Sequence, residues 1–301
     1  MAASATRPHL LDDGATRFVV ARRLGRELVR NRLALTGIII LAAVLFVSVA
    51  APLLTPYGYA QLDLSHQLAG PSTRHPLGTD NFGRDVWSRL LYGGRVSLFV
   101  SVAPVATALV VGAMVGSTAA LVGGWLDEIL MRVMDLILAF PYIVLAITLV
   151  VVLRPGLVTV IVVITTILIP QFARVTRGAA LVIVQQEYVV AARTFSQGPL
   201  TIIFRHVLPN VLTPLIVVAS LSLGSAMLIE AALSFLGLGI QPPMSSWGTM
   251  IFDGTRFLND APWEALFPGI MLTVAVLSVN LIGDGLRDAL DPRLRRITSP
   301  Q

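Results

Sequence analysis

The amino-acid sequence predicts an all-α membrane protein with six transmembrane helices. Of its 301 residues, 55% are hydrophobic and only 13% are charged, whereas a soluble domain has about 25% charged residues. The mean hydropathy of the chain is +0.80. In addition, the apolar residues gather into separate runs that are long enough to cross a bilayer.

Six apolar runs are the candidate spans, because a helix needs about 20 apolar residues to cross the hydrocarbon core. They cover residues 33–54, 96–122, 129–153, 157–172, 211–229 and 266–282. The fourth run can continue toward Ile183, since Arg174 and Arg177 can extend their charged ends to the interface. Pro141 lies inside the third run and can kink it.

The distribution of arginine predicts the orientation of the chain. All 22 basic side chains are Arg. If both termini are cytosolic, most of these arginines lie on the cytosolic side, which is the orientation that the positive-inside rule favours. The arginines on the outer side are then Arg74, Arg84, Arg89, Arg95, Arg154 and Arg256. We therefore expect a cytosolic N-terminal segment (1–32), the first transmembrane helix (33–54), an extracytoplasmic connector (55–95), a core membrane domain (96–288) and a cytosolic tail (289–301).

Missing residue types exclude several kinds of site. A phosphate-binding P-loop needs a Lys after its glycines, and the chain has no Lys. Any ATP hydrolysis must therefore come from a partner. The absence of Cys excludes thiolate chemistry, and His66 and His75 are too isolated to predict a metal site. The arginines are not clustered with aromatic residues as in nucleic-acid-binding proteins, so we expect no nucleic acid partner.

Small residues follow one line along the second span. They are spaced by four positions, which lets another helix approach closely, and they are Ala108, Gly112, Gly116, Ala120 and Gly124. The neighbour can be a helix of a second subunit or a helix of this chain. In the third span, Asp135 follows Arg132 by three positions, so we expect these two residues to form an ion pair near one end of the membrane.

The segment 185–210, between the fourth and fifth spans, is predicted to form a helix, a turn and a second helix. Gly198 and Pro199 mark the turn, and Pro209 marks the entry into the next span. The first helix is too polar to cross the bilayer, but it presents a face that is typical of partner binding; its residues are Tyr188, Val189, Ala191, Ala192 and Phe195. Alternatively, this helix lies in the headgroup region, held by Arg193 and Arg205.

This segment resembles the EAA loop of ABC-importer permeases. The family pattern is Glu-Ala-Ala, three residues, Gly, nine residues and Ile-x-Leu-Pro. Four residues match the pattern, namely Ala191, Ala192, Leu208 and Pro209. Three residues depart from it: Val190 stands at the Glu position, Ser196 at the Gly position and His206 at the Ile position.

Three further blocks extend the resemblance over nearly the whole chain from about Arg30 onward. Residues 75–86 (HPLGTDNFGRDV) are similar to the segment after the first span in the C-type subunit of dipeptide and oligopeptide importers. Residues 228–248 and 283–292 resemble the regions after the fifth span and near the end of that subunit. The resemblance implies the type I ABC-importer permease fold with a cytosolic coupling helix.

The resemblance also implies a function and a set of partners. A permease of this type moves di- or oligopeptides across the bacterial cytoplasmic membrane as a multi-pass protein with both termini cytosolic. It pairs with a related second permease subunit and receives peptide from an extracytoplasmic binding protein. Two cytosolic ABC ATPase domains or subunits bind ATP and Mg, so this chain needs no cofactor. Related permeases carry nickel chelates or glutathione, and these remain alternative substrates.

The coupling loop supplies the site residues that the resemblance implies. The residues that we expect to contact or shape the ATPase interface are Tyr188, Val190, Ala191, Ala192, Arg193, Phe195, Ser196, Gly198, Arg205, His206 and Pro209. We expect neither catalytic residues nor a metal site. A membrane enzyme or a passive channel that works without partners is the rival function, but neither a hydrolase or metalloprotease signature nor an ion-filter sequence is recognisable.

Glu230 is the candidate for substrate binding. It follows the apolar residues of the fifth span, which places it near the outer surface. There its carboxylate can meet the ammonium group of a peptide, or it can pair with an Arg or with backbone N–H groups of the following loop.

Overall fold

The computed structural model describes residues 28–290, and this part of the chain is almost entirely helical. Most of the predicted N-terminal segment 1–32 and most of the predicted tail 289–301 lie outside the described residues. The helices are α1 (Arg32–Val49), α2 (Ala51–Leu54), α3 (Val86–Val122), α4 (Gly124–Ala139), α5 (Tyr142–Leu153), α6 (Leu157–Ile183), α7 (Glu187–Thr194), α8 (Pro199–Ile202), α9 (Leu208–Phe235), α10 (Trp247–Thr255) and α11 (Trp263–Leu290).

Five helical segments are long and apolar enough to cross a membrane, and the pair α4–α5 makes a sixth if its bend is counted within one span. The long segments are α1, α3, α6, α11 and the continuous run from α8 to the end of α9. The prediction of an all-α membrane protein is therefore confirmed, and the predicted number of six spans corresponds to counting the bent pair once.

The predicted third span, 129–153, is broken rather than continuous. Helices α4 and α5 meet at an angle of 95°, and the break lies at Phe140 and Pro141. Phe140 is extended, with φ −88° and ψ 136°, as favoured for a residue that precedes proline. Pro141 also lacks the N–H that would continue the hydrogen bonds of α4. Its effect is thus a sharp bend, larger than the expected kink.

Helix α3 begins well before its predicted span, helix α6 reaches the longer of its two expected ends, and one helix was not predicted. Helix α3 begins at Val86 instead of residue 96, because the carboxylate of Asp85 caps its first turn by accepting from the backbone N–H of Ser88 at 2.7 Å. Helix α6 continues to Ile183, the longer of the two expected ends. Helix α10 is only nine residues long, too short to stand out as an apolar run.

The line of small residues on α3 serves contact within the chain. A Cβ atom at Gly112 would lie 2.5 Å from the Cβ of Phe172, and one at Gly116 would lie 2.7 Å from the Cβ of Thr176. Both neighbours belong to α6, so the backbones of α3 and α6 lie too close for any side chain there. Of the two interpretations of this line, the structure supports the within-chain contact.

We predict that Gly112→Val destabilises the folded protein by about 1–3 kcal/mol, because the new methyl groups overlap with α6. The measurement is the thermal unfolding midpoint of the purified full-length chain in detergent. Gly178→Val is the matched control, since Gly178 also lies within a long helix, α6, and a Cβ atom placed there would meet nothing within 4 Å. Equal midpoints for the two variants would contradict the close contact.

Candidate functional site

The segment 185–210 forms a compact unit at one end of the bundle, which we call the loop end. Helix α7 is followed by a turn at Ser196, the short helix α8 and one wide turn, Ile203–Val207, that leads into α9. Ser196 has a φ of 58°, the left-handed conformation that glycine adopts most easily. The chain therefore keeps the glycine-like backbone at the position where the EAA pattern has Gly, at a cost of about 1–2 kcal/mol for a serine.

Helix α7 has an exposed face and a buried face. Tyr188, Ala191 and Phe195 are exposed and share one face of the helix, and Phe195 is 82% exposed. We call these three residues the docking ridge. Val189 and Ala192 are buried, with Val189 fully inaccessible. The expectation that Val189 and Ala192 belong to the exposed face is wrong, because Val189 belongs to a buried apolar cluster with Leu121 and Val207, and Ala192 is only 6% exposed.

The other candidate residues of the loop support this arrangement. Nε2 of His206 donates a hydrogen bond to Oε1 of Gln197 at 3.1 Å, which bridges the turn, and the rings of His206 and Tyr188 lie 6.0 Å apart. Arg193 donates to the backbone oxygen of Leu121 at 3.1 Å. Val190, Gly198 and Arg205 are exposed, and Pro209 is half-buried near the start of α9.

Two ion pairs hold α4 against α6 near the loop end. Arg174 Nη2 lies 2.5 Å from Asp135 Oδ1, and the guanidinium of Arg177 donates two hydrogen bonds of 2.6 Å each to Asp127. The expected pair between Arg132 and Asp135 is not formed, because α6 packs beside α4 and presents Arg174 to the same carboxylate. The spacing of residues within one helix does not predict an ion pair between two helices.

The opposite end of the bundle, which we call the connector end, carries a buried charge cluster. The carboxylate of Asp80 is paired with the guanidinium groups of Arg84, at 2.6 Å, and of Arg89. It also accepts backbone hydrogen bonds from Phe82 and Arg84, both at 2.9 Å. Asp253 of α10 lies 3.5 Å from Arg89. Burial, together with repulsion from Arg89, lowers the pKa of Arg84 below its ordinary value, yet arginine stays charged.

The predicted connector is therefore an ordered structure. His75 Nδ1 lies 2.9 Å from Oδ1 of Asp85, the residue that caps α3. Trp263 of α11 donates from its indole nitrogen to the backbone oxygen of Thr79 at 3.2 Å. Within residues 28–290, no three His, Asp or Glu side chains are grouped so that they could hold a metal ion.

Comparison with known protein families agrees with this geometry. A family model described as "binding-protein-dependent transport system inner membrane component" matches residues 108–296, which include the whole coupling loop. The chain belongs to this transport family. A second model, for the N-terminal transmembrane domain of oligopeptide transport permease C, matches residues 21–71.

Individual relatives of this permease agree with the family match. The dipeptide transport system permease protein DppC of Alkalihalophilus pseudofirmus is 43% identical over 274 residues, covering 91% of this chain and 90% of the relative. The oligopeptide transport system permease protein OppC of Bacillus subtilis is 39% identical over 266 residues, covering 88% and 87%. These relatives are transport components and not enzymes, and the permease described here is a transport component in the same sense.

A solved structure supports the fold. A chain from inward-facing structures of the MetNI methionine ABC transporter superposes with a TM-score of 0.53 at 19% sequence identity. The match covers 70% of the permease and 96% of the other chain. The expected ABC-importer permease fold is confirmed.

Glu230 does not occupy the exposed position that the sequence suggested. Its side chain is buried, with 1% of the residue exposed. It accepts hydrogen bonds from the hydroxyl groups of Ser234, at 2.8 Å, and Ser246, at 2.7 Å. Among the described residues, neither an arginine nor a backbone N–H is its partner, contrary to the alternative expectation. In this conformation, Glu230 joins the end of α9 to the residue that caps α10.

We predict that Asp80→Asn destabilises the permease by about 3–5 kcal/mol, because it removes the carboxylate that pairs most closely with both buried guanidinium groups. The measurement is again the thermal unfolding midpoint of the purified full-length chain. The control is Asp260→Asn on the exposed segment before α11, which should stay within about 0.5 kcal/mol of the original protein. Indistinguishable effects of the two substitutions would refute the role assigned to Asp80.

Proposed function

We propose that the permease is the C-type subunit of an ATP-driven importer that moves di- or oligopeptides across the bacterial cytoplasmic membrane. The substrate class is supported by the names of the relatives and by the similarity of segment 75–86 to peptide importers. The observation that carries the proposal is the docking ridge, an exposed apolar face on a short helix that is anchored to the bundle. Such a face is a standard recognition surface for a protein groove.

The proposed partners follow from this assignment. A related permease subunit completes the membrane pathway, and an extracytoplasmic binding protein delivers the peptide at the connector end. Two ABC ATPase domains or subunits bind ATP and Mg²⁺ and dock on the coupling helices at the loop end. The chain itself supplies no nucleotide site, since it has no Lys for a P-loop.

The proposed mechanism is alternating access by movement of helices as rigid units. ATP binding closes the ATPase domains, which displaces α7 and the segment through Pro209. Along the chain, α6 precedes the loop and α9 follows it. A displacement of the loop therefore changes the tilt of both long helices. The membrane pathway then opens toward the binding protein, and hydrolysis of ATP returns it to the inward-facing arrangement.

The orientation of the permease can be tested by labelling single introduced cysteines, because the natural chain has none. We predict that Thr194→Cys in α7 reacts with a membrane-impermeant maleimide only after the cells are permeabilised. Phe82→Cys in the connector, an exposed position, should react in intact cells. Reaction of Thr194→Cys in intact cells would invert the proposed topology.

We predict that Ala191→Trp and Phe195→Asp abolish co-purification of the ATPases and peptide-dependent ATP turnover. The tryptophan fills the centre of the docking ridge, and the aspartate places a negative charge at its most exposed apolar position. The measurement is the amount of ATPase retained by the tagged permease complex, together with ATP hydrolysis in proteoliposomes. Substitution of Ala192 is unsuitable for this test, because a larger side chain there would disturb the packing beneath α7.

Glu128→Trp is the control for these variants. Glu128 is exposed on α4 near the loop end, so it tests whether any bulky surface substitution in this region interferes with assembly. Full ATPase retention by all three variants would place the docking surface elsewhere. Uptake of a labelled dipeptide, with glutathione and a nickel chelate as competitors, then distinguishes the three substrate classes.

A further inference from the structure

Arg193 lies on the side of α7 away from the docking ridge. Its Nη2 atom donates a hydrogen bond to the backbone carbonyl oxygen of Leu121, 3.1 Å away and 72 positions earlier in the chain. Leu121 belongs to the last turn of α3, where carbonyl groups lack partners within the helix. The negative end of the helix dipole also favours a cation at this place. The guanidinium group of Arg193 therefore caps α3 from the coupling helix.

Apolar packing joins the same parts of the chain. Leu121, Val189 and Val207 belong to the same buried cluster, so the end of α3, the buried face of α7 and the turn before α9 are in one packed unit. Arg193 adds a directional contact to this packing. An apolar contact can slide, whereas a hydrogen bond from a charged donor weakens steeply when its geometry changes.

The other end of α3 contacts α10 at the connector end. The indole nitrogen of Trp247, the first residue of α10, donates to the backbone oxygen of Leu90 at 3.0 Å. The backbone N–H of Trp247 donates to the hydroxyl of Ser97 at 2.9 Å. Helix α3 has 37 residues, which corresponds to a length of roughly 55 Å. One continuous helix thus contacts the coupling helix at one end and α10 at the other.

We propose that Arg193 is a positioning residue that joins the coupling helix to α3, and that α3 transmits the state of the connector end to the ATPases. This inference rests on the proposed function, because it assumes that the docking ridge binds ATPases. It divides α7 into two parts with separate roles. The docking ridge holds the ATPases, and Arg193 passes movement between them and α3.

The test compares Arg193→Met, Arg193→Lys and the original protein in the complete importer, reconstituted in proteoliposomes with its binding protein. Met retains the apolar stem of the side chain and removes the donors. We expect Arg193→Met to co-purify with the ATPases, and its basal ATP turnover is measured beside its stimulated turnover so that the ratio of the two can be compared with that of the original protein. The stimulation of that turnover by peptide-loaded binding protein should fall roughly tenfold, as expected for loss of one hydrogen bond from a charged donor.

Arg193→Lys should restore part of the stimulation, because an ammonium group can also donate to the carbonyl oxygen of Leu121. Arg132→Met is the control, since it removes an exposed arginine from α4 without touching α3, and it should behave like the original protein. A purely structural role for Arg193 would lower basal turnover and stimulation together, in proportion to the loss of assembled complex.

Two results would overturn the inference. The first is unchanged stimulation in Arg193→Met, which would show that α3 receives movement by another contact. The second is loss of ATPase co-purification in the same variant, which would make Arg193 part of the docking surface. Failure of the proposed function gives a different result, since the docking-ridge variants would then retain the ATPases whatever Arg193 does.

Discussion

The close contact between α3 and α6 is the constraint on which the rest of the structure depends. Lipid tails are as apolar as leucine side chains, so the hydrophobic effect does little to bring helices together inside a bilayer. Gly112 and Gly116 instead allow the two backbones to meet, and many small dispersion contacts follow along both helices. Since α6 also carries Arg174 and Arg177, which hold α4, its position on α3 determines where the loop end is assembled.

At the connector end, segments are held together by charge pairing, whereas inside the membrane they are held by close backbone contact. Asp80, Arg84 and Arg89 are buried together, and their mutual attraction offsets a large cost of desolvation. Such a cluster adds little net stability compared with well-packed apolar residues. Its geometry is specific, however, because Asp80 accepts both guanidinium and backbone donors. The cluster therefore fixes how the connector sits on the first turns of α3 and beside α10.

The sequence predicted the long helices well, because the length of an apolar run reflects the thickness of the bilayer. Helix ends were less predictable where polar residues continue a helix, as at Val86, ten residues before the predicted start of that span. The proline at position 141 was visible, but a proline inside an apolar run predicts a kink without predicting its angle. Likewise, the partner of Asp135 could not be read from spacing, because Arg174 reaches it from another helix.

Segment 185–210 shows why a family pattern identifies a segment without showing which way its side chains point. Ala191 and Ala192 are adjacent and chemically identical, yet their side chains point about 100° apart around the helix axis. Ala192 faces inward and is only 6% exposed, so a larger side chain there would meet neighbouring atoms. Ala191 faces outward, where a small side chain leaves room between Tyr188 and Phe195. The same residue type therefore meets two different packing requirements, and only the surrounding helices decide which alanine meets which.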